Sequence, residues 1–251
     1  MSKFISKQSV AIWYGLTALL ATFLVGQVIL WCFPDGRSMG ASLLFILMNL
    51  IPMIVAAVFS LVLSEVNSLG EFFKKVFLQK ESPLSWILAF FIPVIYYGIS
   101  ILLMNVRFTG NSLLAFFLYF PWTLLYGGLE EVGWRWFLQD HLSFSKHFIP
   151  KMMLLSIVWF LWHIPIYQLP WITAGSSNYL IFYLMILGNT FLFGALKEYS
   201  KGAVPCILAH MLIDSLAVLM LVQSSLPQII LLVMFEILVS SWLVAIRKSE
   251  K

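Results

Sequence analysis

Charge is what this sequence has least of: 10% of its 251 residues are Asp, Glu, Lys or Arg, while 61% are hydrophobic and 16% aromatic. A mean hydropathy of +0.96 excludes a soluble globular domain. Cysteine is nearly missing. The two present, Cys32 and Cys206, fall at the outer end of one apolar run and the inner half of another, so no disulfide is expected between them. The basic residues form no patch but sit at the ends of apolar runs, and a net charge of +4 of that kind is not a nucleic-acid footprint. No internal repeat is visible. The run after Lys3 and Lys7 is too long for a signal-peptide core and lacks a small-x-small cleavage site, so it reads as an uncleaved first span.

What fills the chain is one apolar run after another. A spanning helix needs roughly 20 such residues, and runs of that length occupy about 10–32, 41–63, 84–104, 113–138, 150–169, 179–196, 203–223 and 227–246. The expected fold class is all-α, a polytopic membrane helical bundle of about eight transmembrane helices, with residues 1–251 as a single integral membrane domain. Alternating sides collect Lys3, Lys7, Lys74, Lys75, Lys80, Arg135, Lys146, Lys151, Lys197, Lys201, Arg247, Lys248 and Lys251 on one face, against Arg37 and Arg107 on the other. The positive-inside bias makes the first face cytoplasmic and puts both termini there. Between the second and third runs, Val66, Leu69, Phe72, Phe73, Val76 and Phe77 recur at helical spacing beside lysines, as in a helix lying in the cytoplasmic interface. Pro52, Pro93, Pro121 and Pro205 lie inside or near the start of spans, and Pro170 to Asn178 reads as an outer loop.

The few ionisable groups inside these runs are therefore the candidates for function. Glu130 and Glu131 are adjacent, with Arg135 close behind. On an α-helix Glu131 and Arg135 are about 40° apart and can pair, whereas Glu130 lies roughly 140° from the arginine and is left to face something else. His163 sits in Trp159-Phe160-Leu161-Trp162-His163, and His210 shares a helix face with Asp214. Counting from the nearest polar residue at the basic face puts Glu130, His163 and His210 at depths of roughly 14–18 Å, close to one plane on three helices. His141 and His147 read as solvated loop residues, and Asn105, Asn189 and Glu236 as packing or interface groups.

Glu-Glu-x-x-x-Arg with Gly133-Trp134 before the arginine, an aromatic-x-x-x-His in the next span and His-x-x-x-acid two spans later resemble the three motifs of the CPBP family. These are the intramembrane proteases of the CAAX-protease and bacteriocin-processing kind. The resemblance covers about 115–220, which it marks as the catalytic core. Trp159 stands where the family usually has Phe, and Asp214 where Asn is commonest. The resemblance implies hydrolysis of a peptide bond inside the membrane, in a site open to the cytosol. Glu130 would be the general base on a water, with His163 helping to hold it, His210 and Asp214 stabilising the oxyanion, and Glu131, Arg135 and Trp159 in support. An ionised Asp214 cannot donate a hydrogen bond, so it must be protonated, orient His210 or bind a metal. Glu130, His163, His210 and Asp214 would also make an acceptable set for one Zn2+, the ground on which the family is often labelled metalloprotease. A water held by glutamate and histidine needs no metal, and that mechanism is placed first.

The expected partners are the lipid bilayer and a membrane-associated peptide or protein substrate near the cytoplasmic face, of the CAAX type or a bacteriocin or other processed peptide, with no nucleic acid. The expected location is a bacterial plasma membrane. Two other classes fit an intramembrane Glu and His: an ion- or proton-coupled transporter, and a non-catalytic immunity or scaffold protein that kept the fold.

Overall fold

The computed structural model describes residues 6–36, 38–143, 147–172, 178–223 and 225–249. Helices dominate. In chain order they are α1 (Lys7–Cys32), α2 (Met39–Val62), α3 (Leu69–Phe77), α4 (Pro83–Leu102), α5 (Leu113–Thr123), the single turn α6 (Gln139–His141), α7 (Phe148–Tyr167), α8 (Tyr179–Tyr199), α9 (Val204–Leu216) and α10 (Leu226–Ser249). Two short strands, β1 (Val106–Phe108) and β2 (Met220–Val222), pair antiparallel. Several helix starts are written locally. Ser6, Ser38, Ser68 and Ser82 each accept a hydrogen bond from the backbone N–H three residues on, and Asn178 accepts from Leu180 and Ile181.

Among the described residues six helices are long and apolar enough to cross a membrane, or seven if Leu113–Gly128 and Val132–His141, bent by 45° at their joint, count as one span. This revises the expected eight. The run at 203–223 yields only the thirteen-residue α9, because the chain after Leu216 leaves the helix and pairs as β2 with β1. Val106–Val222 and Phe108–Met220 are register partners, so residues far apart in sequence make one ribbon beside the ends of α4 and α9. Apolar side chains such as Trp13, Leu20, Phe91 and Leu238 are exposed, as a lipid-facing surface requires. Pro52, Pro93 and Pro121 lie inside helices, as does Pro165, and Pro205 opens α9, where its missing N–H costs nothing.

The amphipathic segment forms α3. It buries Phe72 and Val76 in a cluster with Val132, Ala203 and Ile207, and leaves Leu69 and Phe73 exposed. Glu71, which caps the turn by accepting from Asn67 N and pairs with Lys75 at 3.0 Å, has its carboxyl pulled down to about 2, chiefly by that backbone N–H. The loop from Lys201 to Ala203 docks here too: Glu81 accepts from Lys201 N and Gly202 N, and Ala203 N donates to Val76 O. Cys32 is exposed, Cys206 is buried, and both are free. Much of the expected loop at 170–178, and Lys3, Arg37, Lys146 and Lys251, lie outside the described residues.

Candidate active site

Glu130 and Glu131 sit at the joint of the bent span, between two π-helical stretches, Leu124–Gly128 and Val132–Leu138. Such wide turns recur at functional sites because they re-aim side chains within a helix. The glycines before the joint let α9 press against it. A methyl group at Gly127 would overlap the Asp214 carboxylate and lie 3.0 Å from His210 Nε2, and one at Gly128 would lie 2.9 Å from Met211 Cγ.

From the joint, Glu131 points into the protein and organises what surrounds it. Its Oε2 accepts from Arg135 Nε at 2.8 Å, as the sequence spacing predicts, and its Oε1 accepts from His210 Nδ1 at 2.8 Å, which the spacing does not. Arg135 also donates to Thr190 O at 3.3 Å, and its guanidinium lies 4.7 Å from the Trp159 ring centroid and 5.5 Å from that of Phe193. All of this is buried. The consequence is a fixed imidazole: with Nδ1–H spent on Glu131, His210 presents Nε2 to Glu130 Oε1 at 3.8 Å and Asp214 Oδ2 at 3.6 Å. Both distances exceed a hydrogen bond, so Nε2 stays available to a water or a reacting atom in the cavity.

Glu130 is 2% exposed and is held by two indoles, Oε2 accepting from Trp134 Nε1 at 2.9 Å and from Trp159 Nε1 at 3.0 Å. This changes the reading of Trp159. The residue is more than an aromatic in place of Phe, because a phenyl ring has no N–H to give. Trp134, part of the first motif, is the second indole donor. Its spacing carries the signal, since it stands four residues after Glu130 just as Arg135 stands four after Glu131.

A cavity of about 900 Å³ opens over these groups, lined in part by Glu130, Trp159, His163, His210 and Asp214. His163 donates through Nδ1 to Trp159 O at 2.8 Å, so its neutral ring keeps Nε2 as the acceptor nitrogen. Among the described residues no hydrogen bond joins His163 to Glu130. The two share the cavity instead. Tyr97 donates to Ile213 O at 3.0 Å and braces α9 beside it. The cavity extends to the β1–β2 ribbon, where Arg107, Leu221 and Gln223 line it, and not to the lysine-rich end of the bundle.

The possible zinc set does not fit. Among the described residues no three His, Cys, Asp or Glu side chains are grouped to hold a metal ion. Nε2 of His163, Nε2 of His210 and Oε1 of Glu130 each remain unengaged, but no three such groups converge on one point.

Residues 109–216 match the family model of the type II CAAX prenyl endopeptidase Rce1-like proteins. The chain carries an Rce1-like segment. That match is consistent with a CPBP-family intramembrane protease and supports protease activity of the CAAX type in an integral membrane protein. Among the curated proteins compared, none matches the chain. The Rce1-like segment begins one residue after β1 and ends with the last residue of α9, so it holds Glu130, Glu131, Arg135, Trp159, His163, His210 and Asp214. Helices outside it finish the cavity, with Asn49 from α2 and Tyr97 from α4 on its wall.

Two polar residues outside this constellation, His141 and Asn189, are placed differently from their expected settings, and Glu236 packs as expected. His141 is not a solvated loop residue: it is buried in α6, with Nε2 2.9 Å from Glu65 Oε1 and Nδ1 2.8 Å from Phe137 O. Asn189 lines the cavity, and its Oδ1 is buried without a hydrogen-bond partner. Glu236 is fully buried, with its carboxylate set into the space left by Gly188. His147 is exposed at the start of α7.

Proposed function

We propose that the chain is an intramembrane endopeptidase in which Glu130 activates a water against a peptide bond of a membrane-associated substrate. The observation that carries this reading is the pair of fixed groups facing one cavity. Glu130 is held by two indole donors with Oε1 left over, and His210 is held by Glu131 with Nε2 left over, 3.8 Å away.

The water's oxygen attacks the carbonyl carbon while Glu130 takes its proton, and Glu130 then gives that proton to the leaving amide nitrogen as the C–N bond breaks. Negative charge collects on the carbonyl oxygen. In its doubly protonated form His210 donates from Nε2 to that oxygen while Nδ1–H stays on Glu131. Asp214, in its protonated form, is a second donor. His163 accepts from the water through Nε2 and helps to aim it. Glu131 and Arg135 act through His210, and Trp134 and Trp159 act through Glu130. No step requires a metal. The segment 115–220 is the catalytic core of one membrane domain spanning 1–251, and the substrate is a CAAX-type, bacteriocin-like or other membrane-associated peptide in a bacterial plasma membrane.

The test compares peptide termini in membranes of cells making wild type or Glu130→Gln, at matched protein levels. New termini in the wild type alone are expected, with activity of the variant reduced roughly 10²–10⁴-fold. Identical termini across several growth conditions would end the protease assignment.

A further inference from the structure

We propose that the cavity opens to the side of the membrane away from the cytoplasm, so that the substrate is the extracytoplasmic or membrane-emergent segment of a peptide or protein. This rests on the protease reading for what the cavity does, but the side on which it opens follows from geometry and charge alone.

Helix by helix, the lining residues fall toward one end of the bundle. Asn49 is in the first half of α2, Tyr97 in the last part of α4, Tyr167 ends α7, Phe182 is in the first turns of α8, and Asp214 is near the end of α9. Successive spans run in opposite directions, so these positions meet at a single end. That end carries the β1–β2 ribbon, tied by Gln223 N to Asn105 O and by Thr109 N to Leu219 O, and Arg107 of β1 stands on the cavity's rim.

The opposite end is closed and basic. Below Glu130, Trp134, Arg135, Phe137 and Leu138 are at most 1% exposed, and they plug the route between the cavity and that face. Beyond the plug the ends of the helices are cross-tied. Lys197 pairs with Asp140 at 3.1 Å, Lys151 Nζ donates to Gln139 O at 3.0 Å, and Tyr199 donates to Leu243 O at 2.7 Å. Apart from the buried Arg135, every described Lys and Arg except Arg107 lies at this end. Short loops carrying Lys and Arg stay in the cytoplasm. The basic end is therefore cytoplasmic, and the mouth at Arg107 faces the other way.

Cysteine labelling decides this without any substrate. In full-length Cys32→Ser protein made in bacterial cells, single cysteines are placed at Arg107 and Gln223 on the rim, Ala217 on the cavity wall and Lys80 on the basic face. The buried Cys206 of the parent serves as the unlabelled control. A membrane-impermeant maleimide on intact cells should label Arg107→Cys and Gln223→Cys, a small charged methanethiosulfonate should reach Ala217→Cys, and Lys80→Cys should react only after permeabilisation. Lys80→Cys reacting in intact cells while the rim variants wait for permeabilisation overturns the proposal. So does a rim that labels from outside with Ala217→Cys reached only from inside. These outcomes stand apart from catalysis, which Glu130→Gln tests: an inactive chain could still label as expected, and an active one could label in reverse.

Discussion

The two halves of the bundle, above and below Glu130, use polar groups differently. Below it, most are tied down, although Arg135 Nη2 and Gln139 Oε1 are buried without a hydrogen-bond partner. Arg135 is shared among Glu131, Thr190 O and two aromatic faces, Gln139 donates to Gly194 O, and Lys151 and Lys197 bind back to Gln139 and Asp140. Above it, reactive atoms are left over. Nε2 of His210 has no contact shorter than 3.6 Å to its two carboxylates, Asn189 Oδ1 has no partner, and the Asp214 side chain is 33% exposed to the cavity. A buried polar group costs little when satisfied and a great deal when not, so unsatisfied ones persist where water or a substrate can reach them. The lower half is a packed seal; the upper half holds the cavity and the polar atoms that face it.

Breaking the seal should have the largest effect. Arg135→Leu leaves the buried Glu131 carboxylate without its counter-ion and should cost about 3–5 kcal/mol of stability. Protein level and thermal unfolding in detergent should fall together with cleavage, whereas a variant of normal stability that merely cleaves slowly would make Arg135 a group of the upper half. Asp214 comes next, as a test of donation in the cavity. Asp214→Leu should reduce kcat by about 10²-fold, while Asp214→Asn, which donates whatever the pH, should stay within about tenfold of wild type. Equal losses in the two variants would show that Asp214 is needed as an anion. The smallest effect is expected at Trp159→Phe, which keeps the ring and removes one N–H bond to Glu130. A fall in kcat of about tenfold with KM and protein level unchanged would mark Trp159 as a positioning residue for the base. A change in stability alone would return it to the packing.

The sequence went far on this chain because a membrane imposes simple rules. Low charge, long apolar runs and basic loops give an all-helical bundle, since only helices satisfy their own backbone in lipid. The cost of an acid at depth singles out Glu130, and four-residue spacing joins Glu131 to Arg135. Motif spacing also carries the resemblance to the CPBP family, and the Rce1-like match bears that out. Other features had no local signature. Residues 203–223 are apolar enough to span, yet the chain after Leu216 pairs with β1, and pairing across more than a hundred residues leaves no periodic trace. His141 looked solvated because its partner, Glu65, is remote in sequence.

The sequence by itself therefore determined the class of fold, the basic face and which ionisable residues lie inside the apolar runs, because these depend on hydrophobicity, charge and spacing along one helix. The tertiary structure decided that Glu131 holds His210, that two indoles hold Glu130, and that the cavity opens at the Arg107 end. Each of these joins side chains from different helices or sums residues from many, and which helices meet is settled by packing between them.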